Sequence, residues 1–147
     1  MRLEPIYRAR FSAPQRWSVE LSGPSGSEGQ DFLLTEGRCE GRVAASWRGA
    51  NYPRRRTDGT LTPDFRGVLE TDDSATILFA WNGYGRAGQG GMSQLVGGMT
   101  HTTDDERYRW LNDAFCAVAG EVHHRSEDDR VEVVLDVFEL VWETPAD

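Results

Sequence analysis

The chain is poor in cysteine. Its 147 residues include only Cys39 and Cys116, which lie far apart and have no second pair near them. This spacing predicts neither a zinc site nor a disulfide framework. We therefore expect reduced, partly buried thiols and no bound metal.

Long apolar runs are missing as well. No stretch approaches the ~18 to 20 residues that a membrane-spanning helix requires. The N-terminus does not combine a basic segment with a long apolar run, as a signal peptide would. We expect a soluble, cytoplasmic protein with no membrane partner.

Positive charge is scarce. The formal net charge of -8 repels phosphate backbones, and the densest basic stretch, Arg54 to Arg56, lacks the interleaved aromatic residues of a single-strand binder. Nucleic acid is therefore not an expected partner.

What the sequence does contain is typical of an all-β protein. Hydrophobic residues make up 38% and aromatic residues 10% of the chain, which suits one globular domain over residues 1–147. Segments rich in aromatic and β-branched residues recur with turn residues between them: IYRARFSA, GRVAASW, TPDFRGVLET, ATILFAW, FCAVAGEVHH and VEVVLDVFELVW. We predict an antiparallel up-and-down β-barrel of about eight strands rather than a sandwich, because a closed sheet has no exposed edges. Such a barrel can hold one small ligand.

One short helix is predicted within residues 102–113. Thr103 can cap its first turn, and Glu106 can complete a capping box. Its aromatic residues would pack against the barrel, and Asn112 at its end either caps the helix or points its amide into the cavity.

A glycine-rich stretch, WNGYGRAGQGG at residues 81–91, has the G-x-G-x-x-G spacing of a dinucleotide-binding turn. No crossover helix follows it, so nucleotide binding is not expected and no cofactor is implied. We predict a flexible loop between a strand and the helix, which could act as a lid that lowers Tyr84 and Arg86 onto a ligand.

The candidate catalytic residues come from the segment TPDFRGVLET. Alternation places Asp64 and Arg66 on one face and Phe65 and Leu69 on the other. If the charged face lines the barrel, Asp64 could abstract a proton next to a carbonyl while Arg66 binds the oxyanion. If that face is solvated, the apolar face forms the core. Arg42, which has Glu40 two residues before it, is a second candidate.

Substrate-binding candidates are predicted at a barrel rim. The three arginines at 54–56, Arg56 among them, lie beside Asn51 and Tyr52 and could capture an anionic or phenolate group, although Asp58-Gly59 is first of all a hairpin turn signal. Among the histidines, His123 and His124 point to opposite faces and cannot share one metal. His101 is expected in a loop, either exposed or near the cavity mouth.

Several motifs resemble those of one family. They are EGRCEGRV at 36–43, RTDGT at 56–60, DFRGVLETDD at 64–73, NGYGR at 82–86, ERYRWLN at 106–112 and VLDVFEL at 134–140. Together they are similar to the family called domain of unknown function 3237. The resemblance implies a β-barrel with a central cavity, and isomerase or cyclase activity on aromatic scaffolds in some members. Two departures are Asp73-Ser74, where relatives tend to have Asp-Gly, and Phe138, where a Tyr is usual.

Three classes of function remain open. The first is a cofactor-independent enzyme of the isomerase, cyclase or lyase kind that acts on a small aromatic or carbonyl compound in the barrel. The second is a lipocalin-like small-molecule binding protein without catalysis. The third is an interaction protein whose barrel is filled by its own side chains. A homodimer is compatible with all three.

Overall fold

β-structure dominates the computed structural model, which describes residues 1–125 and 127–147. Its elements are β1 (Arg2–Gly23), β2 (Gly26–Gly41), β3 (Ala45–Asn51), β4 (Arg54–Arg55), β5 (Leu61–Thr62), β6 (Asp64–Thr71), β7 (Thr76–Ala87), β8 (Met92–Thr102), a 3-10 helix (Glu106–Leu111), β9 (Cys116–Arg125) and β10 (Arg130–Val141). Within residues 1–125 and 127–147, no helix has the length and apolar character needed to cross a membrane.

The eight long strands close into a ring in which every pairing is antiparallel. Each long strand pairs with the next along the chain, and β10 returns to pair with β1. The predicted up-and-down barrel is therefore confirmed. The short strands β4 and β5 form a hairpin that bridges β2 and β7 at one rim.

The two ends of the barrel differ. At one end, which we call the closed end, the 3-10 helix and the short turns between strands lie over the core, with Leu111 and Val43 fully buried. At the other, which we call the open end, β1 and β2 extend beyond the ring as a long hairpin, and the β4–β5 hairpin lies beside them. Core side chains therefore fill the barrel interior at the closed end and leave space at the open end.

The predicted helix exists, but it is shorter and capped differently. It is a 3-10 helix whose N-cap is Asp105, since the Asp105 side chain accepts a hydrogen bond from the backbone N–H of Arg107. The Thr103 hydroxyl accepts a hydrogen bond from the Asp105 backbone N–H at 3.2 Å, before the helix begins, and it donates to the carbonyl of Thr76 at 2.7 Å. This bond ties the helix entry to the sheet instead.

The prediction that the glycine-rich stretch forms a flexible loop and a lid is wrong. Gly83 and Gly85 lie inside β7, where they pair with Gly97 and Leu95 of β8. A Cβ on Gly83 would come within 2.0 Å of the Val96 carbonyl oxygen. These glycines therefore serve the close approach of two strands, and the turn itself is confined to residues 88–91.

A break in alternation divides β1 into two parts. Phe11 faces the barrel interior, and the register with β2 then shifts between Ser12 and Gln15. Because a bulge inserts extra residues, every side chain beyond it changes face. Trp17 and Val19 consequently lie on the outer surface, 52% and 61% exposed.

Candidate binding cavity

A cavity of about 320 Å³ lies inside the open end of the barrel. Most of its lining is apolar, and the residues are Phe11, Ala13, Arg16, Asp31, Leu33, Thr35, Asn51, Pro53, Leu61, Pro63, Phe65, Trp81, Leu95, Val122, His124, Val131 and Val133. They come from all eight long strands and from the β4–β5 hairpin segment. These residues are distant in sequence and become neighbours because the sheet closes into a ring.

Aromatic rings form the floor of this cavity. Phe65 stacks on Trp81 with ring centroids 5.1 Å apart and planes 12° apart. Phe11 stacks on Trp47, which lies one layer deeper, at 4.6 Å and 8°. Stacked aromatic rings offer flat, apolar surface, which suits a planar ligand.

Trp47 and Trp81 differ in hydrogen bonding. The Trp47 indole N–H donates to the Thr35 hydroxyl at 3.1 Å. Among the described residues, the Trp81 indole Nε1 is the one buried side-chain nitrogen or oxygen without a partner. An unpaired buried donor costs on the order of 1–3 kcal/mol, a cost that the Trp47 indole does not incur.

The charged side chains of the lining lie at the rim, together with Asn51. Arg16 lies beyond the β1 bulge, which turns it toward the cavity, and it forms an ion pair with Asp129 at 2.7 Å. Asn51, at the end of β3, accepts a hydrogen bond from the Asp64 backbone N–H at 3.0 Å. His124 pairs with Asp129 at 3.0 Å. Asp31 on β2 has no ion pair or side-chain hydrogen bond within residues 1–125 and 127–147, so its carboxylate is available to a ligand.

The β4–β5 hairpin covers one side of the opening. Its turn has Asp58-Gly59 as predicted: Gly59 has φ +87°, and its N–H donates to the Arg56 carbonyl at 2.9 Å. The Arg56 guanidinium and the Thr60 backbone N–H lower the pKa of Asp58 to about 2. Arg56 is thereby held in the turn, with its guanidinium 5.9 Å from the Tyr84 ring on the outer surface.

Asp64 and Arg66 lie outside this cavity. Their side chains are 54% and 76% exposed and 3.9 Å apart, whereas Phe65 and Leu69 of the same strand are buried. The solvated alternative for the charged face of β6 is the correct one, because the large apolar side chains gain more free energy by burial in the barrel. The pair borders a shallow outer groove with Asn82 and Phe115.

The remaining predicted binding residues also lie away from the cavity. The Arg42 guanidinium lies 4.1 Å from the Trp110 ring at the closed end, and Glu40 pairs with Arg38 rather than with Arg42. Asn112 holds the helix end, since its amide donates to the Thr103 carbonyl at 2.9 Å and accepts from the Thr103 N–H.

Tyr52, Tyr84 and Arg86 are exposed on the outer surface. Tyr52 packs edge-on against Phe32 at 6.3 Å. Tyr84 and Arg86 lie on β7, whose odd-numbered residues such as Trp81 face inward. The lid role predicted for them is therefore not possible in this fold.

His101 is not in a loop, contrary to the prediction. It lies on β8 beneath the aromatic layer, 2% exposed, with its Nε2 2.8 Å from the Tyr7 hydroxyl. Burial lowers the pKa of His101 to about 4. Burial likewise raises the pKa of Cys39 to about 12 and that of Cys116 to about 11. These groups are uncharged at neutral pH, and none of them lines the cavity at the open end.

Sequence reasoning missed the actual lining. The inward and outward alternation of each strand, continued as far as the turn at the open end, would have predicted these residues. It gives Leu33, Asn51 and Leu95 as inward-facing, together with Phe65 and Trp81. Within the described residues, no group of three or more His, Cys, Asp or Glu side chains could hold a metal ion.

Comparison with known proteins supports the family resemblance and the fold. The model of the family described as "Protein of unknown function (DUF3237)" matches residues 1–140. No curated protein matches the sequence significantly. A β-barrel-like protein from Acinetobacter baumannii is 21% identical with a TM-score of 0.73, and the alignment covers 95% of this chain and 96% of that one.

Two further structures share the fold. A protein with unknown function from Clostridium acetobutylicum is 15% identical with a TM-score of 0.76, over 96% of this chain and 100% of that one. An enzyme from Penicillium herquei is 18% identical with a TM-score of 0.55, over 92% of this chain and 93% of that one.

Proposed function

Because the chain belongs to the DUF3237 family of proteins of unknown function, we propose its function from its cavity: it binds a small, planar aromatic compound carrying a carbonyl or phenolic oxygen. The observation that carries the proposal is the cavity of about 320 Å³ with an aromatic floor and a polar rim. Ligand pockets span ~300–1,000 Å³ and combine apolar walls with a few polar groups. This volume limits the ligand to the small end of that range.

The arrangement of the walls supports an orientation for the ligand. Its rings would lie against Phe65 and Trp81, where stacked geometry favours a flat partner. Its oxygen substituents would face Arg16, Asp31 and Asn51 at the rim, where hydrogen-bonding groups remain in contact with water. A purely apolar ligand would leave those groups unused.

A ligand screen tests this proposal. Thermal-shift measurements with flavanones, chalcones and simple phenols should raise the melting temperature in a dose-dependent way, because a ligand that binds only the folded state stabilises it by mass action. Small carboxylates without rings should give no shift. If none of the aromatic compounds gives a shift, the proposal fails.

Two neighbouring residues of β2 provide a matched pair of variants. Leu33 lines the cavity, whereas Leu34 faces outward on the same strand. Leu33→Trp should fill the cavity and reduce affinity at least tenfold, about 1.4 kcal/mol, and Leu34→Trp should retain it. Equal affinities for the two variants would place the binding site elsewhere.

Acid-base catalysis on the bound compound is the second candidate. The observation that favours it is that the free carboxylate of Asp31 and the Arg16 guanidinium both line the rim, since a carboxylate suits proton abstraction and a guanidinium suits oxyanion binding. The fold also occurs in the Penicillium herquei protein that is called an enzyme. Asp31 and Arg16 replace Asp64 and Arg66 in the proposed cofactor-independent isomerase, cyclase or lyase chemistry.

A variant of Asp31 separates binding from catalysis. Asp31→Asn should retain ligand affinity but lose turnover by ~10²- to 10⁴-fold, the usual contribution of a general base. Asp64→Asn is the control, because Asp64 lies on the outer surface, and it should leave turnover unchanged. A ligand that binds without being converted by the wild-type protein would support a carrier.

The same proposal places the protein in a reducing compartment such as the cytoplasm. Cys39 and Cys116 are both free and buried, which suits an environment in which thiols are not oxidised. Fractionation of cells that produce the protein is the direct test, and recovery outside the cytoplasm would contradict this assignment.

A further inference from the structure

The part of β1 beyond its bulge, residues 15–23, has one unpaired edge; we call this segment the β1 arm. On one side it pairs with β2, from Gln15↔Leu34 to Gly23↔Gly26. On the other side, β10 pairs with β1 only as far as Ser12. No strand in the described residues covers the arm beyond that point, so its backbone groups on this edge face water.

The outer face of the arm is apolar and exposed. Trp17, Val19 and Leu21 are 52%, 61% and 61% exposed, and Phe32 on β2 extends the patch. Natural proteins normally protect such an edge with charged residues, proline or a covering element. The charged residues of the arm, Arg16 and Glu20, lie on its other face, so the outer face leaves this edge open to a further strand.

We propose that two copies of this chain pair through the β1 arm, antiparallel about a two-fold axis at Val19. In this register Val19 lies opposite its own copy, and Trp17 lies opposite Leu21 in both directions. Ser18 lies opposite Glu20, so no like charges meet. The two arms then form one continuous sheet.

Neighbouring registers are less favourable. Shifting the axis to Glu20 sets two glutamates opposite each other, which is destabilising. Shifting it to Ser18 places Leu21 opposite the polar Gln15. Only the register centred on Val19 pairs every large apolar side chain of the arm with another apolar side chain.

The other face of the arm requires nothing from the partner. Glu20 forms an ion pair with Arg55 of β4 across Gly29, whose position lacks a side chain. Arg16 pairs with Asp129. Because these charges are satisfied within one copy, dimer formation does not leave them unpaired.

A groove beside the arm can receive the hairpin tip of the partner. It has a volume of about 900 Å³ and is polar, with Ser12, Pro14 and Asp129 among its lining residues. In the proposed register, Gly23 of the second copy lies opposite Gln15, so the small, polar tip at residues 23–26 enters this groove. The site is thus filled by the same chain that presents it.

Sedimentation of the wild-type protein and two lysine variants tests the proposal. The wild type should have twice the mass of the chain at micromolar concentration. Val19→Lys should be monomeric, because two ammonium groups would meet at the axis. Val96→Lys is the control, since Val96 is 47% exposed on β8, a strand paired on both sides; this variant should remain dimeric. A monomeric wild type, or a dimeric Val19→Lys, overturns the proposal.

Cross-linking gives a second result that does not depend on the stability of Val19→Lys. Under mild oxidation Val19→Cys should form a covalent dimer, because directly opposed Cβ atoms lie about 4.5–5.5 Å apart and both native cysteines are buried. Val96→Cys should remain unlinked. Equal cross-linking of the two variants would contradict the proposed contact.

Discussion

At the scale of single residues, the barrel separates polar groups by depth. The charged groups in contact with the cavity are at the rim, whereas Tyr7 and His101 lie beneath the aromatic layer, with the Tyr7 hydroxyl 2.8 Å from His101 Nε2. A buried polar group stabilises a fold only when it is hydrogen-bonded. The Tyr7–His101 pair is therefore a structural feature of the core, and its protonation affects stability.

The burial of His101 beside Tyr7 predicts that the protein becomes less stable at acidic pH. The pKa of His101 falls from an ordinary value of 6.5 to about 4 in the folded state, so between these pH values the unfolded chain binds the extra proton. The contribution of His101 to the free energy of unfolding is fully present above pH 6.5. It is lost as the pH decreases toward 4, and the free energy of unfolding falls by about 3 kcal/mol. Urea unfolding across this range should show the decline.

His101→Gln provides the matched comparison, because its amide can still contact the Tyr7 hydroxyl but does not titrate. The free energy difference between wild type and His101→Gln should shrink as the pH decreases from 6.5 to 4. Parallel pH curves for the two proteins would show that His101 does not carry the effect.

Ser74 illustrates a local departure from the family pattern. It lies in the turn between β6 and β7 with φ +73°, a conformation that favours glycine. The turn adopts this geometry with Ser at the position. The other departure, Phe138, is on β10 next to the inward-facing Val137, so the missing hydroxyl is not lost from the cavity.

Ser74→Gly should stabilise the protein by up to about 1 kcal/mol, because relief of the positive φ exceeds the entropy cost of glycine. Chemical denaturation measures the change. Ser22→Gly in the β1 arm, where φ is not positive, should be neutral or destabilising. A destabilised Ser74→Gly would contradict the argument.

At the scale of elements, a bulge and a pair of glycines decide which side chains meet. The bulge of β1 turns Arg16 inward and Trp17 outward, and so shapes both the rim and the β1 arm. The facing glycines of β7 and β8 let these strands approach closely. Both devices act through backbone geometry rather than through side-chain chemistry.

Gly83→Ala tests the second device. The new Cβ would come within 2.0 Å of the Val96 carbonyl oxygen, and since this neighbour is backbone, the strands must separate. We expect a loss of about 1–3 kcal/mol or more. Gly23→Ala, whose Cβ would meet nothing within 4 Å, should change stability by less than about 0.5 kcal/mol. Similar losses for the two variants would exclude this role for Gly83.

At the scale of the whole molecule, closure of the ring allows one barrel to have a packed core at its closed end and a cavity at its open end. The pairing of β1 with β10 leaves no edge within the ring itself, and Arg2 contacts Glu143 at 2.8 Å near the two ends of the chain. The core fills the closed end, while the open end retains space for a ligand. The same closure places the termini opposite the cavity.

A circular permutant tests this description. Joining the termini with a short Gly/Ser linker and opening the chain between Gln89 and Gly90 preserves every strand pair, because this turn is exposed. The permutant should keep the far-UV circular dichroism spectrum and a cooperative thermal transition. A chain cut within β9, between Gly120 and Glu121, should not, since it breaks a central strand of the ring.

The sequence by itself determined the strand-forming class and the Asp58-Gly59 turn, because aromatic and β-branched alternation and turn residues act over short distances. It also carried the family motifs. Even the two faces of β6 were evident as alternating sets. These properties depend on neighbouring residues and need no knowledge of where a strand packs.

Only the tertiary structure decided which face points inward. Asp64 and Arg66 of β6 face solvent because Phe65 and Leu69 fill the barrel, and the glycines at 83 and 85 belong to a strand because β8 passes close to them. The cavity combines Arg16, Asp31 and Trp81 with residues from other distant strands. Their proximity follows from strand register, bulges and ring closure, which are set by long-range contacts that no local pattern contains.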